Sequence, residues 1–95
     1  MQTNRITLKD FLTLIGEDML VDIVYHHMSE CGFAAKELFA KRPELENTYV
    51  KPNGIEIRRD KLGYILAENS EKRKDELYKD FEQIEYEYLI IEVED

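Results

Sequence analysis

The run Phe81-Glu82-Gln83-Ile84-Glu85-Tyr86-Glu87-Tyr88-Leu89-Ile90-Ile91-Glu92-Val93-Glu94-Asp95 constrains this chain more than any other stretch. Four apolar residues in succession, Tyr88 to Ile91, lie between glutamates on both sides. The pattern predicts a core strand with negative charge at both ends. Ile84, Tyr86, Tyr88 and Ile90 share one parity of that strand, and Leu89, Ile91 and Val93 share the other. A straight strand is then apolar on one face at its start and on the opposite face at its end. Either a bulge resets the register, or the middle is buried on both faces and needs a cover on each side, from helices or from a partner.

The rest of the chain supplies candidate covers. Thr7 is placed to cap a helix ending at Gly16, with Leu8, Phe11, Leu12 and Ile15 on one face. Met19 to Tyr25 reads as a strand, its Val21, Ile23 and Tyr25 on one side and Asp22 interrupting the other. His26 to Phe33 fits a strand extension, a hairpin or a helix approach, with a break near Gly32. Ala34 to Lys41 is a helix by propensity, stopped before Pro43, and Arg42 to Asn47 is a loop. Lys51-Pro52-Asn53-Gly54 predicts a hairpin turn between Thr48–Val50 and Ile55–Arg58. Asp60 to Gly63 predicts a second turn, and Tyr64 to Ala67 a third strand of the meander. Asn69-Ser70 can cap a helix from Glu71 to Glu82 with Leu77, Phe81 and Ile84 along one face. The expected architecture is α+β. Residues 1–95 form a single small domain, an antiparallel sheet of four to five strands packed against two to three helices.

Charge narrows the function classes. The 95 residues carry a formal net charge of −8. Residues 75–95 hold one basic and nine acidic side chains, while residues 51–74 hold seven basic and four acidic. An acidic chain is repelled by nucleic acid and anionic membranes and is steered toward basic protein surfaces. Direct nucleic-acid binding and membrane binding are therefore not expected. No apolar stretch approaches the roughly 18–20 residues that span a bilayer, and the opening residues lack a signal-peptide pattern. With one cysteine, Cys31, no internal disulfide can form, so a cytoplasmic location is expected.

Motifs for chemistry are sparse. His26, His27 and Cys31 are the only metal-ligand types in a cluster, but three donors within six residues lack the second cluster that a zinc site needs. Cys31 as a nucleophile lacks an evident base, and a small buried thiol is the expected role. The four glycines are scattered and form no phosphate loop. Arg58, Arg59 and Lys61 with Lys72 to Lys74 read as a solvated face balanced by acids. Neither catalytic residues nor a cofactor or metal site is expected. The candidate partner-binding residues are Glu85, Tyr86, Glu87, Tyr88, Glu92, Glu94 and Asp95. Their carboxylates can mimic phosphates in a basic groove, and tyrosine supplies area with a polar tip.

Ile6-Thr7-Leu8-Lys9-Asp10-Phe11-Leu12, Val21-Asp22-Ile23-Val24, Gly32 to Leu38 and Leu89-Ile90-Ile91-Glu92-Val93 together resemble the small acidic α+β proteins encoded by phages and prophages of Gram-positive bacteria. That class includes anti-CRISPR proteins, which block an RNA-guided nuclease by occupying its DNA-binding groove. The resemblance carries no shared binding motif. It implies a non-enzymatic inhibitor that binds the basic surface of a nucleic-acid-handling protein. The alternative is an assembly protein that forms a homodimer through its C-terminal strand.

Overall fold

Thr7 opens the first helix as its capping position predicts, its Oγ1 accepting from the Asp10 N–H at 3.2 Å. This helix, α1 (Leu8–Ile15), buries Leu8 and Leu12 and stops at Gly16, whose φ of 104° suits glycine. The computed structural model describes residues 5–16, 18–25 and 28–94. The remaining elements are β1 (Leu20–Tyr25), β2 (Met28–Ala34), α2 (Ala35–Lys41), a 3₁₀ turn at Pro43–Asn47, β3 (Val50–Lys61), α3 (Leu62–Ile65), a 3₁₀ turn at Glu71–Lys74, α4 (Tyr78–Phe81) and β4 (Glu85–Val93).

The four strands form one sheet in the order β2-β1-β4-β3. The α+β class holds, but the sheet is mixed. β1 and β4 run parallel, pairing Val21 with Leu89 and Ile23 with Ile91, while β1–β2 and β3–β4 are antiparallel. The apolar run at the end of the chain takes an inner position, paired along both edges.

The parity problem in β4 is solved by a cover on each face. Leu89, Ile91 and Val93 join Val21, Ile23, Phe33, Leu38 and the buried α1 residues in the main core. On the opposite face Tyr88 packs on a smaller cluster of Leu20, Leu62, Ile65 and Leu66. The register of β4 is unbroken from Glu85 to Ile91.

Three expected elements between residues 48 and 82 are corrected. The segment 48–58 is no hairpin. Thr48–Val50 bonds instead to the Ile6–Leu8 segment, Val50 N–H to Ile6 O at 3.0 Å, and both ends of β3 pair with β4. A three-residue arm offers few ladder bonds, whereas β4 offers nine residues and an apolar face. The turn chemistry is spent on a bulge, where Asn53 takes φ 59° and the register shifts between Val50 and Ile55. Secondly, Tyr64 to Ala67 is not a strand: Leu62, Ile65 and Leu66 fall at i, i+3 and i+4 and bury as one turn of helix. Thirdly, the helix expected over 71–82 breaks into the 3₁₀ turn and α4. Its Leu77–Phe81–Ile84 face stays exposed, so no packing sustains it. The Asp75 carboxylate also accepts from the Leu77 N–H at 2.9 Å, a local bond that competes with helix. The Arg42–Asn47 loop is largely the 3₁₀ turn, anchored by buried Leu45.

A bulge in β2 ties the two faces together. Two residues, Cys31 and Gly32, oppose Asp22 alone, and Gly32 takes φ 80°. Its N–H donates to the Asp22 Oδ1 at 2.8 Å, and its carbonyl accepts from the Ala67 N–H at 3.1 Å. Cys31 is exposed at this bulge, not buried as expected.

Burial pushes the Asp22 carboxyl above its ordinary value of 3.8; the Gly32 N–H, the charge of Arg58 and a hydrogen bond with Cys31 oppose the shift. A raised folded value means the native state holds the proton more tightly than the unfolded chain. The resulting stability is complete below pH 3.8 and is lost as pH rises through the folded value. Asp22→Asn keeps an oxygen for Gly32 but cannot ionise. It is expected to match or exceed the wild type in neutral buffer, with the gap closing toward pH 3.8. Asp22→Ala removes the acceptor and is expected to cost about 1 kcal/mol or more. Urea midpoints over a pH series check both; an Asn variant whose gap to wild type ignores pH contradicts the account.

Candidate functional site

The strand carboxylates do not form one row. Along β4, Glu85 and Glu87 lie on the face that carries Leu89, while Glu92 and Glu94 alternate onto the other, at the far end. The span from Glu85 to Glu94 is about 30 Å at strand rise. Most of these charges are answered within the chain. Glu87 pairs with Arg59 at 3.0 Å, Glu92 with Lys51 at 3.2 Å, and Glu94 with Arg5. Glu85 faces Lys61 across the ladder. Tyr88 is half-buried against the second cluster, and Tyr86 lies at the surface. Asp95 lies outside the described residues, as do His26 and His27.

The basic middle of the chain is thus used largely internally. Arg58 is bonded by Glu56 at 3.0 Å, and that carboxylate holds its guanidinium above the ordinary value. Arg73 is no part of a patch. Its guanidinium donates to the carbonyls of Ala67, Gly63 and Leu66 at 2.8, 2.9 and 2.6 Å and to the Tyr78 hydroxyl at 2.6 Å. Leu66 and Ala67 lie just beyond the end of α3, so Arg73 serves as its C-terminal cap. Glu37 of α2 holds the same segment from the other side, accepting from the Ser70 hydroxyl at 3.1 Å and the Glu71 N–H at 2.8 Å.

These bonds position a cleft that sequence reasoning missed. It has a volume of about 250 Å³ and is lined by Asp18, Leu20, Leu62, Asp75, Leu77, Phe81 and Tyr86. Leu77 is 58% exposed, Phe81 38% and Tyr86 36%. Asp75 lines the cleft, and Glu76, Asp80 and Glu82 flank Leu77 and Phe81 in the sequence; for these four the described residues supply no ion pair within 4.0 Å, while Asp18 pairs with Lys36 at 3.3 Å. The helical spacing of Leu77 and Phe81 reads as a core-facing stripe. The useful signal was the charge of their neighbours, four acids within eight residues against Lys79 alone.

Among the described residues no group of three or more metal-ligating side chains converges, and no helix is long and apolar enough to cross a membrane. No family model, no curated protein and no solved structure matches the chain.

Proposed function

We propose that this protein is a non-enzymatic acidic inhibitor that binds the basic surface of a nucleic-acid-handling protein, as anti-CRISPR proteins of phages and mobile elements do. The observation that carries the proposal is the cleft: exposed Leu77, Phe81 and Tyr86, with Asp75 on the lining and Glu76, Asp80 and Glu82 beside Leu77 and Phe81 in the sequence, four acids that have no ion pair among the described residues. An apolar centre with a charged rim is how protein interfaces divide their labour. The centre supplies the affinity and the rim steers the encounter. Carboxylates already paired to Arg59, Lys51 and Arg5 must first give up those partners, so they contribute less than the free rim.

The test is displacement of labelled duplex DNA from RNA-guided nucleases of Gram-positive bacteria, read by fluorescence anisotropy. The protein is expected to compete, and more weakly as salt rises. Reversing Asp80 and Glu82 to lysine should weaken competition by at least about tenfold. Reversing Glu87 and Glu92 should weaken it less. Absence of competition across the panel overturns the proposal, and equal loss from both pairs overturns the assignment to the cleft.

A further inference from the structure

We infer that β3 is a self-pairing edge, on which two copies of this chain join their sheets antiparallel about Ile57. β3 is an outer strand of the sheet. The Ile6–Leu8 segment takes the outer side of Thr48–Val50, and beyond it residues 51–60 are exposed or partly so. Pro52 has no N–H to donate, and the strand ends where α3 begins at Leu62. The stretch available for pairing is therefore 53–61, and its middle residue is Ile57. That side chain is 66% exposed, a large β-branched group with Glu56 and Arg58 on either side of it.

The register decides the matter. For two copies to continue one sheet with matching faces, paired residues must share parity, so each permitted register centres on a single residue. Centring on Glu56 sets Glu56 against its own copy. Centring on Arg58 sets Arg58 against Arg58 and Glu56 against Asp60. Centring on Arg59 or Asp60 again opposes like charges, and centring on Ile55 pairs only residues 53–57 and sets Arg58 against Pro52. Centring on Ile57 sets Ile57 against Ile57, Glu56 against Arg58 twice, and Ile55 against the stem of Arg59, with no like charges opposed.

Glu56 and Arg58 already pair within one strand at 3.0 Å. In the joined sheet the four side chains stand at the corners of a square, alternating in sign. The same charges that guard the edge against indiscriminate pairing thus admit one partner in one register. This inference does not depend on the acidic-inhibitor proposal, because β3 takes no part in the cleft.

Sedimentation equilibrium of the full chain at micromolar concentration is the test. A monomer–dimer equilibrium is expected. Glu56→Arg places arginine against Arg58 of the other copy, and Arg58→Glu places glutamate against Glu56; each should weaken the dimer at least tenfold. The double exchange, Glu56→Arg with Arg58→Glu, rebuilds the square with its signs reversed and should restore the dimer. All four side chains are exposed, and far-UV circular dichroism confirms that each variant is folded. A wild-type protein that stays monomeric overturns the inference, as does a dimer that ignores the single reversals or is not restored by the double exchange.

Discussion

Gly32→Ala is expected to destabilise the protein by about 3–5 kcal/mol, the sum of a strained left-handed backbone and an overfilled contact. The bulge holds residue 32 at φ 80°, where a side chain is disfavoured. A Cβ there would also stand 2.3 Å from the Ile65 carbonyl oxygen and 2.4 Å from the Ala67 nitrogen. Both are backbone atoms, so no side chain can swing aside. Relief requires the segment after α3 to lift off the sheet, which breaks the Ala67-to-Gly32 bond and uncovers Leu20, Leu66 and Tyr88. Small domains have only about 5–15 kcal/mol in total, so this single methyl group removes a large share. Urea denaturation measures it; a variant within about 1 kcal/mol of wild type would show that the close approach is dispensable.

Arg73→Ala is expected to cost about 2–4 kcal/mol, because one side chain satisfies three carbonyls and a hydroxyl. Lysine should recover little, since an ammonium cannot span the fork that reaches Ala67 through Nε, Tyr78 through Nη1 and both Gly63 and Leu66 through Nη2. The loss should be local before it is global. Amide exchange is expected to accelerate across residues 62–82 while Val21 to Ile23 in the main core stay protected. The cleft should go with it, since Leu77 and Phe81 lie on the segment that Arg73 and Glu37 hold in place. Uniform acceleration throughout the chain would mean that the second face does not open independently.

The main core was legible in the sequence because its signals are periodic and local. Leu8 and Leu12, Val21 and Ile23, and Leu89, Ile91 and Val93 each announce a buried face. The parity switch at Tyr88–Leu89 left a bulge or covers on both sides as the two solutions, and the structure has the covers. What failed was pairing. Pro52-Asn53-Gly54 marks a departure from regular strand, but the same backbone freedom serves a turn or a bulge, and only the competition for β4 decides between them. Leu62, Ile65 and Leu66 carry the helical spacing that Tyr64 to Ala67 obscured. The candidate surface was half legible. The acidity of residues 75–95 is plain in the sequence, yet which carboxylates are neutralised depends on register: Arg59 meets Glu87 only because Ile57 meets Leu89.

β4 fills the centre of the sheet although it lies later in the chain than every strand it joins. During synthesis the ribosome releases β1, β2, both longer helices and β3 before that central strand exists. Until residues 85–93 emerge, β1 shows one bare edge and β3 lacks its ladder altogether, so the nascent chain cannot close its main core piecemeal. Folding is then a late, concerted event, and the charged residues of β3 have a second duty. They keep an unpaired strand soluble through the interval in which its proper neighbour has yet to be made.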